Sequence, residues 1–329
     1  MRKSPSKIQQ YSYSYLWLME HFIGSKWLAQ KRKNVSINIS KSIQHSSSNL
    51  LKVPSLENLS IDDFIKSYRN KLQPVVFKGL AKTWPAFNKW SPIFFAEQYA
   101  SDPVILFDAS IENLKTRNFE SAKIKNFKDY IIDMENGSKE YARFLPLLDQ
   151  HEELKRDFDI DWLKHASGHS NKNVKNQLFI GGKDTSTSIH SAIGSNLFVQ
   201  LYGRKKWWIY STEYSPLIEP VVDRSIFFRS FSNAENPTSN FKKAIGWEII
   251  LEPGDVLFNP PFYWHQVRNL DTTIGVGYRW FSLSSILKSS IAQLIMTITA
   301  SNPGLRTIKK LNGNFARVYE QVLSKSLKE

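Results

Sequence analysis

The chain has 329 residues, 41% hydrophobic and 13% aromatic, enough for a large core and against global disorder. It contains no cysteine, which excludes disulfides, thiolate metal sites and cysteine nucleophiles. The formal charge of +14 gathers at the ends: residues 1–52 hold nine Lys/Arg against Glu20 alone, and residues 288–329 hold seven against two acids. A nearly neutral middle does not match a fold built around a nucleic-acid groove, so no specific nucleic-acid partner is expected.

Near the N-terminus, Tyr15–Gln30 reads as a helix with Trp17, Phe22, Ile23, Trp27 and Leu28 on its apolar side. It either lies in a membrane interface or packs on the body of the protein, the second being the plainer reading. Glu20 and His21 cut its apolar stretch short, which argues against a secretory signal. No run is long enough to span a bilayer, and with no cysteine a cytoplasmic location is expected. Residues Asn34–Asn49 are rich in Ser and Asn and read as a linker. The organisation expected is a basic N-terminal helix and linker over 1–52, a main domain over 53–283 and C-terminal helices over 284–329.

Ser60-Ile61-Asp62-Asp63 starts a helix that Pro74 stops, and Pro74–Phe77 is a short strand. Ser91-Pro92 opens another helix, Pro103–Phe107 is a strand, Asn126–Asn136 a helix closed by Gly137, and Ala142–Leu148 extended. His165 and His169 flank Ser167-Gly168 and read as surface loop residues; His21 and His45 receive no role. From Asn176 onward the texture changes. Residues Gln177–Ile180, Asn196–Leu201, Lys206–Tyr210, Trp247–Leu251, Val256–Asn259 and Thr273–Trp280 are short strands rich in β-branched and aromatic residues. Six such strands with Gly, Pro and Asp turns point to a barrel or jelly roll. After Ser284 a helical face runs Ile286, Leu287, Ile291, Leu294, Ile295 and Ile298; Pro303-Gly304 breaks it, and Phe315–Leu323 form a second. These helices suit packing on the barrel or pairing with a second subunit.

Two segments carry the chemistry. The first is Thr187-Ser188-Ile189-His190-Ser191-Ala192, followed by Asn196 and Gly203-Arg204-Lys205; the second runs from Pro253-Gly254-Asp255 through Pro260-Pro261 to Trp264-His265. Together they resemble the two metal-binding halves of the Jumonji-C (JmjC) and cupin-like Fe(II)/2-oxoglutarate oxygenases. Pro74–Leu80 and Trp84-Pro85-Ala86 resemble that family's entry strand. The resemblance covers roughly residues 55–283. It implies a mainly β fold with helical decoration (α+β), a double-stranded β-helix of the cupin/jelly-roll type.

By that resemblance, His190 and His265 are metal ligands and Lys205 pairs with the distal carboxylate of 2-oxoglutarate. Thr187 and Asn196 line that pocket, and Arg279 is the alternative cation. The residue types suit these roles: neutral imidazoles bind Fe(II), and an ammonium is a compact charge for a buried carboxylate. The chain departs from the family where its pattern has an acid two residues after the first histidine; here stands Ala192. Three readings follow. The site has lost its metal and the protein is a binding module; or Asp184, Glu219 or Asp223 supplies a displaced carboxylate; or an exogenous anion does. The third resembles the iron/2-oxoglutarate halogenases, in which a chloride takes the position Ala192 vacates. The expected substrate is a small molecule or an amino acid or peptide.

Overall fold

The structure is a computed structural model that describes residues 4–43, 50–108, 122–168 and 174–302. Two sheets form its centre. The six-stranded sheet runs β1 (Leu50–Lys52), β12 (Gly246–Leu251), β10 (Lys205–Tyr210), β14 (Trp264–Asn269), β8 (Ser186–Ser191), β11 (Phe228–Arg229). The nine-stranded sheet runs β2 (Ser55–Leu56), β3 (Val75–Phe77), β13 (Val256–Asn259), β9 (Ser195–Tyr202), β15 (Thr273–Trp280), β7 (Val174–Gly181), β6 (Glu140–Leu145), β4 (Pro103–Asp108), β5 (Ala122–Asn126). The jelly-roll expectation holds.

Side-chain alternation assigns each strand face to a layer. On the nine-stranded sheet, Leu197, Val199, Val256, Phe258, Leu178 and Ile180 face outward. They pack under the helices Pro92–Gln98, Phe127–Glu135 and Ile160–Ser167, whose Phe95, Tyr130 and Leu163 share that core. Between them Phe198, Leu257 and Phe179 face inward and meet Trp207, Ile209 and Val267 of the six-stranded sheet. Strands buried on both faces explain why these segments read as near-continuous apolar runs. Asp255 fastens the turn before β13. Its carboxylate accepts from Lys78 Nζ (2.9 Å) and the backbone N–H groups of Gly79 (2.9 Å) and Glu252 (3.0 Å).

The outer face of the six-stranded sheet holds the third core, with Ile189, Trp208, Tyr210 and Trp264. Here the N-terminal expectation needs correction. Two helices, α1 (Lys7–Ile23) and α2 (Lys26–Ser42), cover this face, divided by Gly24 in the left-handed conformation (φ 68°). Tyr13 and Trp17 are fully buried, and the Trp17 ring stacks on Trp264 with centroids 6.3 Å apart. The stretch read as linker is helical as far as Ser42. Its serines serve close approach: Ser36 and Ser40 are buried, and Ser36 Oγ donates to the Pro216 carbonyl at 2.5 Å. Residues 44–49, including His45, lie outside the described residues.

Three further differences are local. The helix begun at Ser60 turns at Ile65–Arg69 into a wider π turn. His165 sits exposed on the Ile160–Ser167 helix rather than in a loop, and His169 lies outside the described residues. The apolar face after Ser284 is split at Ser290 into Leu283–Ser289 and Ile291–Ile298, because Ser290 adopts an extended backbone and caps the second helix through Gln293 N. Leu283, Leu287, Ile291 and Ile298 remain exposed. Phe315–Leu323 lie outside the described residues.

Candidate functional site

His190 on β8 and His265 on β14 are direct cross-strand partners, so both rings project from the same sheet face into the space between the sheets. Their centroids lie 4.1 Å apart. His190 Nδ1 donates to the Ser188 carbonyl (2.8 Å) and His265 Nδ1 to the Tyr263 carbonyl (2.9 Å). Those bonds fix the tautomer, leaving each Nε2 as a lone-pair donor aimed into the cavity, the usual dress of metal-ligating histidines. Burial and the neighbouring His265 hold His190 well below its ordinary pKa, and burial pushes His265 down to about 4. Both rings are therefore neutral, as ligation requires. Trp207 stacks on His265 at 5.6 Å and 18°, locking its plane.

A β-bulge sets the rest of the wall. Between His265 and Val267 the pairing shifts from His190 to Thr187, placing an extra residue in β8. Thr187 and His190, three apart in sequence, both line the cavity. Lys205 on β10 is 1% exposed, its Nζ 3.0 Å from Tyr141 Oη and 4.8 Å from the Phe198 ring centroid. Arg279 on β15 reaches in from the facing sheet and lies over Phe144 (5.6 Å) and Phe179 (5.9 Å). Burial alone pushes its pKa down to about 10. Neither cation has an acid partner among the described residues. Gly277, two residues before Arg279, leaves the floor bare: a Cβ there would stand 3.1 Å from Asn196 Oδ1 and 3.5 Å from Arg279 Nε.

Thr187, His190, Lys205, His265 and Arg279 thus share one cavity. Asn196 is adjacent, buried, and both its amide atoms lack partners, but it does not line the cavity itself. Ala192 does not line it either; its carbonyl accepts from Phe262 N at 2.8 Å. Ser191 is turned away, bonded to the Phe262 carbonyl and to Gln293 Nε2. The three displaced-ligand candidates are engaged elsewhere. Asp184 pairs with Arg268 at 2.9 Å, Glu219 accepts from Asn240 at 3.2 Å, and Asp223 pairs with Arg229. Among the described residues no group of three His, Asp or Glu side chains is placed to hold a metal.

Sequence reasoning missed Tyr141, Phe144 and Arg229. Phe144 sat in the segment Ala142–Leu148, read only as extended, and Tyr141 lay just before it with no reading. Arg229 lies on a two-residue strand too short to give a periodic signal, yet pairs directly with His190. The set fits an anionic ligand beside a metal: two oriented imidazoles, the buried Lys205 and half-buried Arg279 with no acid partner among the described residues, and a buried amide with no partner among them. The two histidines give a metal only part of its ligand shell.

Residues 61–285 match the family described as "Cupin-like domain". Among curated proteins, JmjC domain-containing protein D of Dictyostelium discoideum is 29% identical over 241 residues, 66% of this chain and 53% of that protein. Lysine-specific demethylase 8 of Xenopus tropicalis is 27% identical, covering 69% of this chain and 52% of its own length. Human HSPB1-associated protein 1 is 25% identical, with 70% and 53% covered. The chain spans about half the length of these curated relatives. The match over two-thirds of the sequence, the two facing sheets and the paired histidines agree: the chain belongs to the cupin-like family, within the JmjC/cupin-like Fe(II)/2-oxoglutarate oxygenase superfamily.

Proposed function

We propose that the chain binds Fe(II) through His190 and His265 and 2-oxoglutarate through Lys205. It uses them to oxidise or halogenate a C–H bond of a small-molecule, amino-acid or peptide substrate. An exogenous anion, chloride in the halogenase-type case, completes the ligand shell where Ala192 replaces the family's acid. The observation that carries this reading is the pairing of two neutral, oriented imidazoles with a buried lysine that has no acid partner among the described residues, all in one cavity. When bound, iron and 2-oxoglutarate supply the oxidising power.

The chain's own side chains do the rest. Lys205 and Tyr141 Oη present donors to a distal carboxylate, Thr187 adds a hydroxyl, and Trp207 keeps His265 from rotating. Phe144, Phe179 and Phe198 exclude water and so strengthen each charge interaction inside. The involvement of Asp184, Glu219 and Asp223 in other bonds favours an exogenous ligand over a displaced one.

A second reading, a non-catalytic binding module, draws support from the cavity's size. With side chains as they stand, its free volume is about 20 Å³, room for about one water. The test is anaerobic titration with Fe(II) and 2-oxoglutarate, with and without chloride, followed by the visible metal-to-ligand charge-transfer band. A band that shifts with chloride is expected. No band under any condition supports the binding module, and a band indifferent to halide removes the halogenase-type site.

A further inference from the structure

The helix α1 is apolar on two sides. Tyr13, Trp17 and Glu20 repeat at helical spacing on the side that packs on the six-stranded sheet and on α2. Ile8, Tyr11, Tyr15 and Phe22 repeat at the same spacing on the opposite side, and each is 47–78% exposed. Ile23 and Trp27 flank the Gly24-Ser25 turn and are exposed as well, so the stripe runs along α1 to the tip of the α1–α2 hairpin. A helix that only packs on a protein body carries polar residues on its outer side. This one carries aromatic and aliphatic side chains there.

Charge decides what meets the stripe. Among the described residues of the hairpin, every fully exposed charged side chain is a lysine: Lys7, Lys26, Lys31, Lys33 and Lys41. The hairpin's acid, Glu20, is buried and paired with Arg32 at 2.6 Å. Lys31 Nζ sits 3.8 Å from the Trp27 ring centroid, so cation and ring form one unit near the tip. We infer that the outer side of α1 and the tip of the hairpin dock on an anionic phospholipid bilayer. The apolar side chains enter the boundary between headgroups and acyl chains, and the lysine heads stay among the lipid phosphates. Tyrosine and tryptophan suit that boundary, each having an apolar body and a polar tip. Two other occupants fit worse. A second copy pairing through the same side would set these five lysines against five. Residues 303–329 hold six Lys/Arg against two acids, the same sign as the hairpin. Docking on this side leaves the histidine cavity untouched. On β14, Trp264 turns outward to Trp17 while its neighbour His265 turns inward to His190.

The test floats the full chain with vesicles of phosphatidylcholine alone and of equal parts phosphatidylcholine and phosphatidylserine. The chain has no cysteine, so Ser12→Cys, exposed beside Ile8 and Tyr15, accepts a single environment-sensitive fluorophore. Ser101→Cys, exposed in the turn before β4, serves as the reference. Binding to the mixed vesicles is expected to be about tenfold tighter or more than to phosphatidylcholine, and to weaken in high salt. It should blue-shift the label at position 12 and leave the label at position 101 unchanged. Tyr15→Glu with Phe22→Glu is expected to weaken binding about tenfold or more at an unchanged thermal midpoint. Lys26→Glu with Lys33→Glu should erase the preference for phosphatidylserine. No flotation with either vesicle overturns the inference. So does flotation with the position-12 label still in water, which marks adhesion by charge alone. A thermal midpoint lowered by Tyr15→Glu with Phe22→Glu shows the stripe already covered within the molecule, and a dimer dissolved by that pair shows a second copy on it; either result overturns the inference.

Discussion

At Ala192 a methyl group stands where the family's pattern has a carboxylate, one charge and one oxygen ligand. Restoring it tests what the histidine pair lacks. Ala192→Asp is expected to raise Mn(II) affinity at least tenfold, about 1.4 kcal/mol, measured by calorimetry or electron paramagnetic resonance. An unchanged affinity would mean that position 192 does not face the metal. Lys205 offers a complementary test. It is a buried cation with a hydroxyl partner and no acid among the described residues, so it costs folding free energy until a ligand arrives. Lys205→Met is expected to hold or raise the thermal midpoint while weakening 2-oxoglutarate binding by about 2–5 kcal/mol. A lower midpoint with binding intact would reverse the assignment. These residues were legible because histidines, a lysine and a threonine at family spacing stand out. Arg229 was not, since its role comes from the strand beside β8 rather than from spacing in sequence.

Among the elements, the central strands were legible to within a few residues, Val256–Asn259 and Thr273–Trp280 fully, because covered strands carry unbroken apolar runs. The strand bearing His190 was harder: Ser186–Ser191 is polar, and its bulge disguises the two-residue period. Residues Asn34–Ser42 misled for another reason, since serine richness marks linkers and also close helix contacts. Gly203 closes the β9–β10 turn at φ +63°, where a Cβ would stand 1.9 Å from the Thr272 carbonyl oxygen. Gly203→Ala is therefore expected to cost roughly 2 kcal/mol or more, read as a lower denaturant midpoint. The junction of α1 with the Ile291–Ile298 helix is expected to respond to pH. His21 Nε2 lies 3.0 Å from Thr299 Oγ1, with Arg224 and Asp223 facing it, and burial then Arg224 depress its pKa below 6.5. The unfolded chain takes the proton first, so this stability is present above about pH 6.5 and declines as pH falls. Thermal midpoints between pH 8 and 5 should fall less steeply in His21→Gln.

For the whole molecule, the exposed apolar strip of Leu283, Leu287, Ile291 and Ile298 keeps self-association through the C-terminal helices as a proposal. Sedimentation velocity is expected to show a dimer that Leu287→Glu with Ile291→Glu converts to monomer; a monomer before substitution ends that proposal. The covering of β14 by α1 has a different consequence, in time rather than space. Trp17 leaves the ribosome well before the surface it packs on, which includes Phe228 and Trp264, 247 residues further along than Trp17 in the latter case. At roughly 5–20 residues per second, α1 waits about 12–50 s for that surface. Through that interval α1 can pair with α2 through Arg32 and Tyr13, but its Trp17 face lacks the sheet that shelters it, so α1 docks long after it is made. Arrested nascent chains ending before Phe228 should therefore bind hydrophobic-surface chaperones through α1, and chains extended well past Trp264 should release them.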